Sequence, residues 1–128
     1  MIVGIGTDLV RVDRLRNWLA TAGLVERFFS AAEHHYCLAK TDNAAASLAA
    51  RFAAKEALGK ALGSGLRGLR LRDIEVVGDE LGQPKIILHG QAKRGLDQKG
   101  QIRIHLSLSH ERDYAIAMVV LETDGEKS

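Results

Sequence analysis

Two carboxylates, three bases and a run of glycines are the residues whose types could do chemistry together. Asp8 closes an apolar segment that begins Ile2-Val-Gly-Ile-Gly-Thr. Glu56 lies inside Arg51-Phe-Ala-Ala-Lys-Glu-Ala-Leu-Gly-Lys60, and His110 follows Ser107-Leu-Ser109. Held close, Asp8 and Glu56 repel unless one is protonated or a cation sits between them. Only oxygen ligands are on offer, so a hard cation such as Mg²⁺ fits best. Two carboxylates leave such an ion undersaturated, with positions for water and phosphate oxygens. Arg51, Lys60 and the glycines of Gly63-Ser-Gly-Leu-Arg-Gly68 supply positive charge and amide donors for those phosphates. His110 could bind phosphate as well. Each residue has a plainer reading: Asp8 as a cap or loop salt bridge, His110 as a turn residue, Gly63 as a helix C-cap. Singly, the plainer reading is favoured. Jointly, a Mg²⁺–pyrophosphate site explains the coincidence better.

The element that must position most of these groups is the stretch Ala44 to Gly65, which reads as a helix of about five turns. Spaced at about 100° per residue, Ala50, Ala53, Ala54, Ala57 and Ala61 form a stripe that admits another backbone closely. Leu48, Phe52, Leu58 and Leu62 fall opposite. Arg51 and Lys55 lie among the apolar residues, and Glu56 and Lys60 flank them. Charges so placed need partners, because an unpaired buried charge is costly; the alternative is a partly exposed helix whose long side chains snorkel to water. Asp42 or Asn43 could cap its start. The glycine run lacks the Lys-Ser/Thr ending of a P-loop and follows a helix rather than preceding one, so as a motif it is weak.

Residues 2–9 predict a strand with Gly4, Gly6 and Asp8 on one face, able to approach the Ala stripe and bring Asp8 beside Glu56. Asp13 to Ala22 predicts a helix stopped by Gly23. Ser30-Ala-Ala-Glu33 is a capping-box signature opening a helix to about Lys40. Glu33, His34 and His35 raise the question of a metal site, but adjacent histidines diverge on a helix, and a solvated face is the expectation. Asp73–Val77 and Lys85–His89 predict paired strands around a Gly78–Pro84 turn. Gln91–Gln98 predicts a weak helix, Ile102–Ser109 an alternating strand, His110–Asp113 a tight connection, and Tyr114–Leu121 a buried central strand. The fold class is α+β, a mainly antiparallel sheet packed against one long central helix and shorter helices. Residues 1–122 read as one domain and 123–128 as a polar tail.

Composition narrows the function. The chain has 128 residues and a net charge of +2, too small to imply nucleic acid, and aromatic residues are 5%, too few for base stacking. No apolar run is long enough for a membrane span. One cysteine, Cys37, excludes an intramolecular disulfide. The expected setting is cytoplasmic, with neither membrane nor nucleic acid as partner.

The segments Gly4-Ile-Gly-Thr-Asp8, Arg51-Phe-Ala-Ala-Lys-Glu-Ala-Leu-Gly-Lys-Ala-Leu-Gly63 and Ser107-Leu-Ser-His110, in that order, resemble the bacterial holo-[acyl-carrier-protein] synthases. The Asp73-Ile-Glu-Val76 strand and Gly82-Gln-Pro84 turn add to the likeness, which covers nearly the whole chain. Arg11 departs from it: relatives often carry Glu after the first strand.

The resemblance implies transfer of the 4′-phosphopantetheine arm of coenzyme A to a serine of apo acyl carrier protein, leaving adenosine 3′,5′-bisphosphate. It implies that Asp8 and Glu56 hold Mg²⁺, that Lys60 neutralises the leaving phosphate, and that Arg51, Gly63 and His110 hold nucleotide phosphates. Glu56 or a water on the metal would take the serine proton. Arg14, with Arg11 and Arg16 near it, would face the acidic carrier protein. The family forms homotrimers with sites between subunits, which accounts for a long helix without a solvent face. Two other readings compete: a Mg²⁺-dependent nucleotide pyrophosphohydrolase, which needs an activated water, and a non-catalytic module binding coenzyme A or an acidic partner.

Overall fold

In the computed structural model, which describes residues 1–124, the central stretch is a helix wrapped on nearly every side. The elements are β1 (Ile2–Arg11), α1 (Val12–Leu19), α2 (Leu24–Phe28), α3 (Ala31–Leu38), α4 (Ala44–Leu62), β2 (Ile74–Gly78), β3 (Pro84–Leu88), α5 (Gly90–Asp97), β4 (Ile102–His110) and β5 (Tyr114–Thr123). Of the nineteen residues of α4, fifteen are buried, which makes it the core. A three-stranded antiparallel sheet, ordered β1-β5-β4, lies against it, and β2 and β3 form a separate antiparallel hairpin. The α+β expectation holds.

β1 reaches α4 through its glycines. A Cβ on Gly6 would stand 2.1 Å from the Ala57 carbonyl oxygen, and one on Gly4 2.2 Å from that of Ala61. No side chain fits there, so the strand touches the Ala stripe backbone to backbone. This contact fixes the register that brings the end of β1 beside the middle of α4.

The outward face of the same sheet is apolar. Ile5 and Leu9 are each 62% exposed, and Ile116 and Met118 on β5 accompany them. β5 is central in strand order, as expected, but only Ala115, Ala117, Val119 and Leu121 are buried; its other face is open.

Several local expectations are corrected. The helix predicted over 13–22 ends at Leu19, and α2 follows as a separate helix whose N-cap is Gly23 at φ +79°. Neither Asp42 nor Asn43 caps α4 through its side chain; a short 3₁₀ turn, Thr41–Asn43, leads into it. His110 is the last residue of β4 rather than part of the connection. β5 runs on to Thr123, the first residue of the expected tail, and 125–128 lie outside the described residues. Glu33 is not on a solvated face: it is 2% exposed. No described helix is long and apolar enough to cross a membrane.

Candidate active site

The first group of functional side chains gathers where β1 meets α4. Lys60 Nζ donates to Asp8 Oδ1 and to the Thr7 carbonyl oxygen, both at 3.0 Å. Glu56 lies one turn before Lys60. Burial holds its carboxyl above the ordinary range, the charge of Asp8 raises it further, and Arg14 and Lys60 pull it back. Asp8, Glu56, Lys60 and Arg14 therefore act on one another.

Arg14 is held by stacking. Its guanidinium carbon stands 5.0 Å from the Phe52 ring centroid and 5.4 Å from that of Trp18, and the two rings are 5.0 Å apart. The aromatic shelf fixes a cation near Glu56 at small conformational cost. Sequence reading placed Arg14 on a docking surface and missed this second relation; the i, i+4 spacing of Arg14 and Trp18 was the available signal.

The donor set suits a hard cation. Asp8 and Glu56 bring like charges close enough to raise Glu56, a repulsion that a cation between them would relieve. Among the described residues no group of three or more His, Cys, Asp or Glu side chains forms a fuller cage. Two oxygen donors plus water and phosphate is the pattern of Mg²⁺ held with its substrate.

The second group lies elsewhere. Arg51 and His110 line a cleft of about 400 Å³ whose other walls come from α3 and the β2–β3 hairpin. Arg51 is 8% exposed, and its Nη1 donates to Ser47 Oγ at 3.0 Å. Asp8, Glu56 and Lys60 do not line this cleft. The sequence-predicted site residues are thus divided into two sets on different sides of α4.

Gly63 belongs to neither set directly. It ends α4 at φ +83°, and its N–H donates to the Lys60 carbonyl at 3.1 Å. The Gly65 N–H donates back to the Gly59 carbonyl at 3.0 Å. Those two amides are engaged with the helix end, so Gly63 serves as a C-cap that shapes the loop after Lys60.

A buried network lies between the two groups along α4. Lys55, fully buried, donates to Glu33 Oε1 at 2.8 Å, to the Leu71 carbonyl at 2.9 Å and to the Ile74 carbonyl. Glu33 Oε2 accepts from the Val76 N–H at 2.9 Å. α3, α4 and β2 are tied at one point, between Arg51 and Glu56. Sequence reading asked for a partner to Lys55 without naming Glu33.

The chain matches the model of the 4′-phosphopantetheinyl transferase superfamily over residues 4–119. It belongs to that superfamily. Within it, the chain is 53% identical over 122 residues to a holo-[acyl-carrier-protein] synthase of Treponema denticola, covering 95% of this chain and 99% of the relative. Among solved structures, the holo-[acyl-carrier-protein] synthase of Neisseria meningitidis superposes with a TM-score of 0.86 at 36% identity, covering 96% of this chain and all of that one. The Bacillus anthracis holo-(acyl-carrier-protein) synthase in complex with CoA (3′,5′-ADP) gives 0.80 at 35% identity over 97% of this chain and 99% of that one. The resemblance of the three motifs to this family of enzymes is borne out, and the chain is a phosphopantetheinyl transferase of the holo-[acyl-carrier-protein] synthase type.

Proposed function

We propose that this chain transfers the 4′-phosphopantetheine arm of coenzyme A to a serine of apo acyl carrier protein in a Mg²⁺-dependent reaction. The observation that carries the reading is the Asp8–Glu56 pair beside Lys60: two carboxylates from separate elements, mutually repelling, with a flexible cation at their edge. Asp8 and Glu56 would hold the ion. Mg²⁺, when bound, supplies charge neutralisation at the pyrophosphate. Lys60 exchanges Asp8 for the leaving phosphate, since its side chain is exposed and its present bond is a surface one. The serine Oγ forms its bond to the pantetheine-side phosphorus as the bond to adenosine 3′,5′-bisphosphate breaks. The serine proton leaves with solvent or through Glu56. Arg14 meets the acidic surface of the carrier.

Arg51 and His110 hold the nucleotide phosphates, and this reading requires a second copy of the chain. The two groups lie on different sides of α4, so one nucleotide reaches both only across an interface between copies. The open apolar face of the sheet, with Val3, Ile5, Leu9, Ile116 and Met118, is a surface such an interface would cover. A homotrimer with three shared sites satisfies both requirements. We assign the cytoplasm as the setting, in keeping with the lone free thiol of Cys37.

The test is intact-mass analysis of apo acyl carrier protein incubated with the chain, coenzyme A and Mg²⁺. The expected result is a gain of one phosphopantetheine arm, roughly 340 Da, abolished by EDTA and by Glu56→Gln. Hydrolysis of coenzyme A without any gain on the carrier would overturn the reading in favour of a pyrophosphohydrolase. Binding of coenzyme A with neither reaction would overturn it in favour of a non-catalytic module.

A further inference from the structure

A separate pocket of about 440 Å³ opens between the start of β1, the end of α4, the start of β4 and the end of β5. That size is within the range of small-molecule sites. Its lining is chiefly aliphatic. Ala61 and Leu121 are 6% and 2% exposed; Leu62 and Ile102 are half-buried, and Val3 is more open. Leu121 lies on the sheet face that packs against α4, and by register Ile102 and Thr123 share that face. The pocket therefore runs between sheet and helix. Of its residues only Val3 belongs also to the open outer face. Asp8, Arg51, Glu56, Lys60 and His110 do not line it.

Two polar residues complete the lining, Lys99 and Thr123. Lys99 is exposed, and among the described residues it is in no ion pair. No Asp or Glu lines the pocket, and no second cation does. An aliphatic pocket takes up an alkyl chain, with each buried methylene strengthening the binding. A single ammonium at its mouth selects a head group of single negative charge. Its stem can lie along apolar wall while the charge stays in water. A carboxylate matches that one cation, and the Thr123 hydroxyl is a further donor for its oxygens. A phosphate monoester, with about −1.5 to −2 charges, would be left undercompensated.

We infer that this pocket binds single-chain aliphatic carboxylates, the chain lodged between the sheet and α4 and the carboxylate on Lys99 and Thr123. No bond is made or broken there. The site is distinct from the transferase centre, and the inference does not depend on the transferase reading.

The test is calorimetric titration of the full-length chain with decanoate, hexanoate and decanol at neutral pH. Decanoate should saturate at one per chain, and hexanoate, four methylenes shorter, should bind at least about tenfold more weakly. Lys99→Glu, at an exposed position, should weaken decanoate about three- to tenfold and leave decanol within about twofold. Thr123→Trp, which fills the pocket, should abolish both. Saturating coenzyme A should leave decanoate binding within about twofold, and sedimentation should show one oligomeric state with and without decanoate. Absence of saturable decanoate binding to the wild-type chain would overturn the inference. So would Lys99→Glu weakening decanoate and decanol alike, or neither. Competition by coenzyme A would place the alkyl chain in the transferase centre, and a change of oligomeric state would place it on the open sheet face; either overturns the assignment. A chain that takes decanoate but not coenzyme A would count against the transferase reading and leave this one standing.

Discussion

Arg51 and Lys60 stand on one helix and face opposite ways. They are nine residues apart, which at about 100° per residue puts them roughly half a turn round the axis and about 13 Å along it. Arg51 opens into the cleft with His110, while Lys60 meets Asp8 at the edge of the sheet. If one substrate engages both, two copies of the chain must share it. An inactive Glu56→Gln chain and an inactive Arg51→Ala chain should then rescue each other. Co-assembled at equal amounts into a trimer of shared sites, they should recover about one site in four. Carrier modification by the mixture, compared with each variant alone, is the measurement. No rescue would mean that each copy holds a whole site.

The ion pair of Lys55 with Glu33 is fully inside the protein, and each partner also satisfies backbone groups of β2 or the segment before it. Removing one partner leaves a buried charge alone. Lys55→Met and Glu33→Gln should each destabilise the fold by about 3–5 kcal/mol. The double variant should cost less than the sum, because the orphaned charge is gone. Urea unfolding of the three variants measures the coupling; strict additivity would show that the pair does not act as a unit.

Gly6 of β1 faces the Ala57 carbonyl at a distance no side chain tolerates. The nearest atoms are backbone, so α4 cannot yield by turning a rotamer. Gly6→Ala should lower stability by about 2 kcal/mol or more, and should also move Asp8 away from Glu56. Thermal unfolding and transfer activity should fall together. Ala57→Gly, which relieves no backbone atom, should not rescue it.

What was legible in the sequence was periodicity and close packing. The Ala stripe and the alternation of Gly4 and Gly6 led to the contact of strand and helix, and that contact put Asp8 near Glu56. The capping box at Ser30 and Glu33 was also legible, and it forms on both sides. Glu33 does more than cap: its Oε1 also meets Lys55, 22 residues on, and its Oε2 meets the Val76 N–H, 43 residues on. Local pattern cannot express that. The division of the site was hidden for a related reason. Listing Arg51, Lys60 and His110 together ignores that the helix carrying two of them is buried all round, so its opposite faces meet different neighbours.

The hydrogen bonds of Glu75 give the fold an acid limb. Its Oε1 lies 2.9 Å from His89 Nε2, and its Oε2 accepts from Ser30 Oγ at 2.8 Å. The His89 contact first, and the Ser30 bond after it, hold the carboxyl below its ordinary value of 4.5, with burial opposing them. A carboxyl depressed in the folded state binds its proton more tightly when unfolded. The stability it contributes is therefore full above about pH 4.5 and is lost as the pH falls through the lower folded value. Glu75→Gln should cost about 1 kcal/mol at neutral pH and progressively less as acid protonates the wild-type carboxyl. Paired urea unfolding curves across that range measure it. A difference that stays constant with pH would mean that the bonds of Glu75 do not depend on its charge. A difference that grew on acidification would reverse the sign of the linkage and place the favoured proton on the folded chain.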